Sequence, residues 1–275
     1  MKKAKEILGY IFGFILSILM LLLSLILILK LTVYNRNYIK KVMSKNNYYQ
    51  EVYNGIINDM EDYMVSSGLS NEILKDIFTE DDVKKDINNF IDNIYLNKYE
   101  NIDTDKISEK LNNNINNYIN KYNIEINSKK ELELFVNDMT NFYKNEINVY
   151  GVLNNLINIF NKVNKLINIL IVILIIISII LIVLLYIINI NYFGAIFAAS
   201  GLMIFFIKLF IYEKIDMNNI LLISDYFSNN IQYVLNTIGN YMLVIGYCFI
   251  VLGFLVYTIS IKYFKTNKKT LKKDN

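Results

Sequence analysis

The sequence has no His, no Pro and no Trp, and its only cysteine is Cys248. Without His, the commonest general base and metal ligand is missing. A single thiol can form neither an intrachain disulfide nor a thiolate cluster that holds a metal. The chain also contains no phosphate-binding loop, dinucleotide-binding glycine pattern, zinc-protease motif or nucleophile elbow. We therefore expect no enzyme, and no catalytic residue, cofactor or metal site.

Charged residues are nearly absent from three long stretches of a chain that is 54% hydrophobic. They are Ile7–Leu29, Leu166–Tyr212 and Tyr241–Ile261. A helix of ~20 residues crosses ~30 Å of hydrocarbon. The second stretch would reach roughly 70 Å as one straight helix, so we expect it to fold back at Asn189–Asn191. The pattern predicts four membrane crossings.

These crossings predict an all-α, four-helix transmembrane protein with a helical extracytoplasmic domain between spans one and two. The predicted segments are an N-terminus at 1–6, span one at 7–30, the extracytoplasmic domain at 31–165, span two at 166–188, span three at 192–212, an amphipathic extracytoplasmic segment at 213–240, span four at 241–262 and a basic tail at 263–275.

Lysines at the two ends of the chain predict its orientation. Lys2, Lys3 and Lys5 precede the first span, and six further lysines lie at the end of the fourth span and in the tail, from Lys262 to Lys273. Basic residues favour the cytoplasmic side, so we expect both termini in the cytoplasm of a bacterial cell and a multi-pass protein of its cytoplasmic membrane. The first apolar run is longer than the core of a secretory signal, which predicts an uncleaved anchor.

The segment between spans one and two shows helical spacing of apolar residues throughout. Its clearest start signal is at Thr79, where Asp82 lies three residues on and completes a capping box. The acids Glu80, Asp81 and Asp82 also suggest a cation site. A calcium loop, however, needs more acids at alternate positions and a glycine, so helix capping is the favoured interpretation.

The stretch IFTEDDVKKDINNFIDNIY at 77–95 resembles multi-pass membrane proteins of AT-rich Gram-positive bacteria. That resemblance implies no assigned activity and no functional residue.

Small residues recur at helical spacing in three of the four spans. Lipid is as apolar as Leu, so close backbone approach at small residues is what favours helix association in a membrane. The predicted helix-packing residues are Gly9, Gly13 and Ser17 in span one, Gly194, Ala198 and Gly201 in span three, and Gly246 and Gly253 in span four. Span two offers only Ser178, so we expect it to face more lipid than the others. Contacts within the chain and a homodimer face both fit these stripes.

Two further features have competing interpretations. Lys208 is the one clear charge inside a span: it is either an intramembrane contact for an ion or substrate, or a side chain near the span end that reaches the interface. The amphipathic segment 213–240 either lies in the membrane interface or covers the larger helical domain.

The leading hypothesis is a non-enzymatic integral membrane protein whose extracytoplasmic helical domain mediates protein or envelope interactions. Its expected partners are the lipid bilayer and either itself or another membrane or envelope protein, and not nucleic acid. The alternative is a subunit of an oligomeric channel or transporter, which the small-residue stripes suggest.

Overall fold

The computed structural model describes residues 2–98, 100–124, 129–147, 154–188, 192–214 and 225–271. The chain divides into two compact units. We call the unit comprising Met1–Asn35, Asn164–Leu221 and Ile231–Asn275 the membrane unit, and the unit comprising Arg36–Val163 and Leu222–Asn230 the helical domain.

The described residues form nine α-helices and one short 3₁₀ helix. In chain order they are α1 (Lys2–Leu31), α2 (Arg36–Lys45), α3 (Tyr48–Ser66), the 3₁₀ helix (Asn71–Leu74), α4 (Glu80–Leu96), α5 (Asp105–Tyr122), α6 (Lys129–Ile147), α7 (Asn154–Ile188), α8 (Tyr192–Lys214) and α9 (Asp225–Leu271). No strand occurs in these residues, so the all-α prediction is confirmed.

Four of the helices are long and apolar enough to cross a membrane, as predicted, which is consistent with a multi-pass membrane protein. Their apolar stretches are Lys3–Leu31, Asn158–Ile188, Tyr192–Lys214 and Phe227–Ile261. The predicted reversal at 189–191 lies outside the described residues, as do 215–224 of the amphipathic segment and 272–275 of the tail. The rest of that segment from Asp225 onward and the predicted fourth span belong to one helix, α9.

The helical domain has a hydrophobic core of its own, built from residues at helical spacing. In α3 the fully buried positions recur every fourth residue, and α4 and α5 repeat this spacing on one face each. The buried residues of these three helices are Tyr48, Tyr49, Val52, Ile56, Met60 and Met64 in α3, Val83, Ile87 and Ile91 in α4, and Ile107, Leu111 and Ile115 in α5. Helix α6 contributes Met139 and Tyr143, neither of which is accessible to solvent.

Helix α4 is fixed at its start and along its length by polar contacts. The Thr79 hydroxyl accepts from the backbone N–H of Asp82, and the Asp82 carboxylate accepts from the backbone N–H of Thr79, which is the predicted capping box. Near the other end, the Lys40 ammonium lies 2.7 Å from the Asp92 carboxylate and the Asn161 amide donates to the Ile94 carbonyl. These contacts hold the helix that contributes the largest share of the candidate site described below.

Helices α8 and α9 of the membrane unit approach each other at glycines. A Cβ atom on Gly201 would lie 2.5 Å from the carbonyl oxygen of Gly246, and a Cβ on Gly253 would lie 2.7 Å from that of Gly194 and 2.8 Å from the backbone nitrogen of Ala198. Real Cβ contacts are never this short. The two helices can therefore pack at this distance only because these positions lack larger side chains.

Helix α1 packs on a face of α8 other than the one that contacts α9. A Cβ on Gly9 would lie 2.5 Å from the Tyr192 ring, and one on Gly13 would lie 3.4 Å from the Ile196 side chain. The small residues of α1 thus accommodate large side chains of α8, whereas the small residues of α8 meet those of α9.

A hydrogen bond and a small apolar cluster complete the contact between α1 and α8. The Ser200 hydroxyl donates to the carbonyl oxygen of Ser17 at 3.1 Å and lies within hydrogen-bond distance of its own-helix carbonyl at Ile196. The cluster consists of Leu16 of α1, Leu181 and Leu185 of α7, and Ile196 of α8.

Span two buries less of its most apolar window than spans one and three, which fits the expectation that it faces more lipid, whereas span four buries less still. The buried share of that window is 22% in α7, against 33% in α1, 28% in α8 and 17% in α9. Helix α7 nevertheless buries large residues, such as Leu181 and Leu185, against α1 and α8. Burial of a membrane helix therefore does not require a stripe of small residues.

A glycine at a contact between two helices and a glycine with open space around it should respond oppositely to Gly→Ala: the first variant should lower the stability of the chain and the second should raise it. Gly201→Ala places a methyl group against a backbone carbonyl and should destabilise the folded chain by about 1–3 kcal/mol. Gly55, inside α3, has no atom within 4 Å of a built Cβ. Gly55→Ala should therefore stabilise the helical domain by about 0.5–1 kcal/mol, because Ala is the better helix former. Unfolding of the full chain in lipid nanodiscs, followed by circular dichroism, measures both; equal effects of the two variants would contradict the packing described here.

Candidate functional site

The described part of the helical domain contains a cleft with polar and apolar lining, bordered by α4, by residues 100–103 and by the start of α5. Its volume is about 370 Å³. We call it the α4–α5 cleft. That volume is within the range of pockets that bind small ligands or single side chains.

The floor of the α4–α5 cleft is apolar and rigid. Ile77, Phe78, Ile107 and Tyr143 line it, and all four are buried in the domain core. The rings of Phe78 and Tyr143 pack edge to face with their centres 4.9 Å apart. Because these side chains are fixed by the core, the floor is formed before any ligand binds.

One carboxylate lies half-buried beside this floor. Asp86 of α4 accepts a hydrogen bond of 2.8 Å from the Tyr143 hydroxyl. Burial raises the pKa of Asp86 above its ordinary value, and the nearby charges of Asp82 and Asp103 raise it further, while Tyr143 and Lys85 act in the opposite direction. Burial and the hydrogen bond to Asp86 also raise the pKa of the Tyr143 phenol, so Tyr143 is a neutral donor at physiological pH.

The rim of the cleft is exposed and carries charges of both signs. The charged residues are Asp82, Lys85, Glu100, Asp103, Lys106 and Lys110. Several are already engaged. Thr79 hydrogen bonds hold the pKa of Asp82 below its ordinary value, Asp103 accepts from the backbone N–H of Asp105, and the Lys110 ammonium donates to the carbonyl of Asp76.

This arrangement can bind a polar ligand on an apolar base. Within the described ranges, no group of three or more His, Cys, Asp or Glu side chains is placed to hold a metal ion. Each carboxylate of the cleft accepts at least one hydrogen bond: Asp86 from Tyr143, Glu100 from the Asn93 amide, and Asp82 and Asp103 from backbone N–H groups.

The structure brings the predicted helix-packing residues together in two sets. Gly194, Ala198 and Gly201 of α8 meet Gly246 and Gly253 of α9 within the same chain. The first stripe, Gly9, Gly13 and Ser17, contacts Tyr192, Ile196 and Ser200 of α8.

Lys208 lies in the last two turns of α8, and its ammonium is 4.7 Å from the centre of the Tyr212 ring. A cation over an aromatic face is a favourable contact that needs no ligand. The Tyr212 hydroxyl in turn donates to the carbonyl oxygen of Leu235 in α9. This geometry fits the interpretation of Lys208 as a side chain near the span end.

Among the acids at the start of α4, Asp82 serves the helix cap, as the capping interpretation requires. It also borders the cleft. The central residue of the cleft, Asp86, was not singled out from the sequence. Its signal was an acid at the edge of an apolar helical face, between Val83 and Ile87.

No protein-family model matches this chain, and no curated protein and no solved structure matches it.

Replacement of Asp86 by Asn should stabilise the helical domain at neutral pH. The folded domain binds the Asp86 proton more tightly than the unfolded chain, so this carboxyl costs stability as the pH rises from about 4, its unfolded pKa, through its raised folded pKa. Asn carries no proton to lose and still accepts from Tyr143. We expect a higher urea midpoint for Asp86→Asn at pH 7 and convergence with the wild type near pH 4.

The matched control is Asp81→Asn, which removes an exposed carboxylate from the same helix. It should not raise the midpoint at pH 7. Urea unfolding of the full chain followed by tyrosine fluorescence gives these midpoints, and a lower midpoint for Asp86→Asn at pH 7 would refute the burial cost assigned to Asp86.

Proposed function

We propose that this chain is a non-enzymatic, multi-pass protein of a bacterial cytoplasmic membrane whose helical domain lies outside the cytoplasm and binds a protein or envelope component. In this proposal the termini are cytoplasmic and the membrane unit anchors the domain. The lysines at the two ends of the chain support the orientation.

The observation that carries the proposal is the α4–α5 cleft. It combines a preformed apolar floor with an ionisable group held at an energetic cost, Asp86. Groups with perturbed pKa values in clefts are concentrated at functional sites. The cleft offers acceptors, donors and an apolar base, which is the composition of a binding site.

A second surface of the helical domain supports contact with a macromolecule. A groove of about 630 Å³ runs between α3, α5 and α6. Its apolar lining includes Leu69, Ile115, Ile119, Leu132, Leu134 and Phe135. Two apolar residues of this lining are strongly exposed, Leu134 at 53% and Ile124 at 43%, and exposed apolar side chains along a groove are common at protein interfaces.

The alternative function, a subunit of an oligomeric channel or transporter, rests on the small-residue stripes. In the structure Gly201 and Gly246 contact each other within one chain. The stripes are used by the chain's own packing and give no separate support to assembly through them.

The proposed orientation predicts which engineered thiols react on intact cells. In a Cys248→Ser background, Glu109→Cys places a thiol on an exposed position of α5, and Thr270→Cys places one near the C-terminus. A membrane-impermeant maleimide should label position 109 on intact cells and position 270 only after permeabilisation. The reverse pattern would overturn the orientation.

The proposed binding role predicts contact at the cleft in living cells. A photo-crosslinking amino acid at Asn89, on the exposed rim, should give a discrete product whose partner is identified by mass spectrometry. The same group at Lys130, exposed on α6 and outside the cleft lining, is the control. Identical products at both positions, or none at Asn89, would count against a binding role for this site.

A further inference from the structure

The Asp86 carboxylate has unused acceptor capacity inside the α4–α5 cleft. An ionised carboxylate accepts about four hydrogen bonds, and among the described residues the side-chain donor to Asp86 is Tyr143. The ion pairs between described residues involve Asp92 and Glu72 and do not include Asp86. A ligand that supplies a charged donor would therefore complete the coordination of this group.

The surroundings of Asp86 favour a cation over a neutral donor. The floor of the cleft is buried and apolar, so a charge pair formed there is screened less than one on the open surface. Burial disfavours the ionised carboxylate when it is alone, and a neighbouring ammonium offsets this cost.

The shape and the rim of the cleft limit what can carry the cation. Phe90 and Ile102, which are half-buried, join the buried Ile77, Phe78 and Ile107 in the lining and offer an apolar surface for a chain of methylene groups, and about 370 Å³ holds one extended side chain. Lys85 and Lys106, exposed on the rim, disfavour ligands with several positive charges. A single ammonium at the end of an apolar stem meets all of these conditions.

We propose that the α4–α5 cleft binds a primary ammonium on an apolar stem, the chemistry of a lysine side chain, with the ammonium against Asp86 and the stem on the floor formed by Ile77, Phe78 and Ile107. This inference rests on the proposed binding role of the helical domain and specifies its ligand. A lysine of a partner polypeptide and a free alkylamine share this chemistry.

The test uses the full chain in lipid nanodiscs with ¹³C-labelled isoleucine methyl groups. Ile77, Ile102 and Ile107 line the cleft, whereas Ile56 is buried elsewhere in the core and serves as the internal reference. The probe is Nα-acetyl-lysine methylamide, and the matched probe without the ammonium is Nα-acetyl-norleucine methylamide. We expect saturable shifts of the cleft methyls with the lysine probe alone; equal shifts with both probes, or none, would overturn the proposal.

Two variants test the role of Asp86. Asp86→Asn should weaken binding of the lysine probe by about tenfold or more, the size of one lost charge-assisted contact, while Asp81→Asn should bind like the wild type. Asn89→Lys, three residues along the exposed face of α4, supplies an internal ammonium and should also weaken binding without altering the core. Unchanged affinity in both cleft variants would refute the assignment of Asp86.

The remaining measurements distinguish a lysine of a polypeptide from a free amine. They also distinguish failure of the proposed ligand from failure of the proposed binding role. Tighter binding of the blocked lysine than of n-butylamine supports a polypeptide source, and equal binding supports a free amine. If neither amine binds while crosslinking at Asn89 persists, the ligand class is wrong and the proposed binding role stands. If the Asn89 crosslink is absent as well, both fail.

Discussion

Close backbone approach between α8 and α9 is the contact on which the membrane unit depends. In hydrocarbon, association of apolar helices gains little from burying large side chains, because lipid contacts them equally well. Packing at glycine brings whole backbones into van der Waals contact instead. Helix α8 then uses a second face, at Tyr192 and Ile196, to pack on α1, so one helix joins two others by different means.

The architecture could be predicted from the sequence because it depends on local patterns. Uncharged runs define the membrane helices, and the spacing of Thr79 and Asp82 defines the start of α4. The partners of each stripe could not be predicted, since residues spaced four apart define a face but not what covers it. The buried leucines of α7 could not be told from its exposed ones for the same reason, since both lie in one uninterrupted apolar run.

The candidate cleft depends on contacts that no local pattern contains. Asp86 and Tyr143 are 57 positions apart in the sequence, and only the packing of α6 against α4 brings them within hydrogen-bond distance. Tyr143 was recognisable as a core residue of an amphipathic helix. That its hydroxyl meets the half-buried Asp86 carboxylate could be known only from the fold, which also shows that burial raises the pKa of Asp86.

The glycine contact between α8 and α9 also constrains how this sequence can diverge. What blocks a side chain at Gly201 is a carbonyl oxygen of Gly246, and every amino acid carries that atom. A substitution at one position therefore has no compensating substitution at the other. A homologous chain that loses Gly201 must move the two helices apart, whereas a Cβ on Gly246 would lie 3.1 Å from the Gly201 carbonyl oxygen and requires a shift of only a few tenths of an ångström.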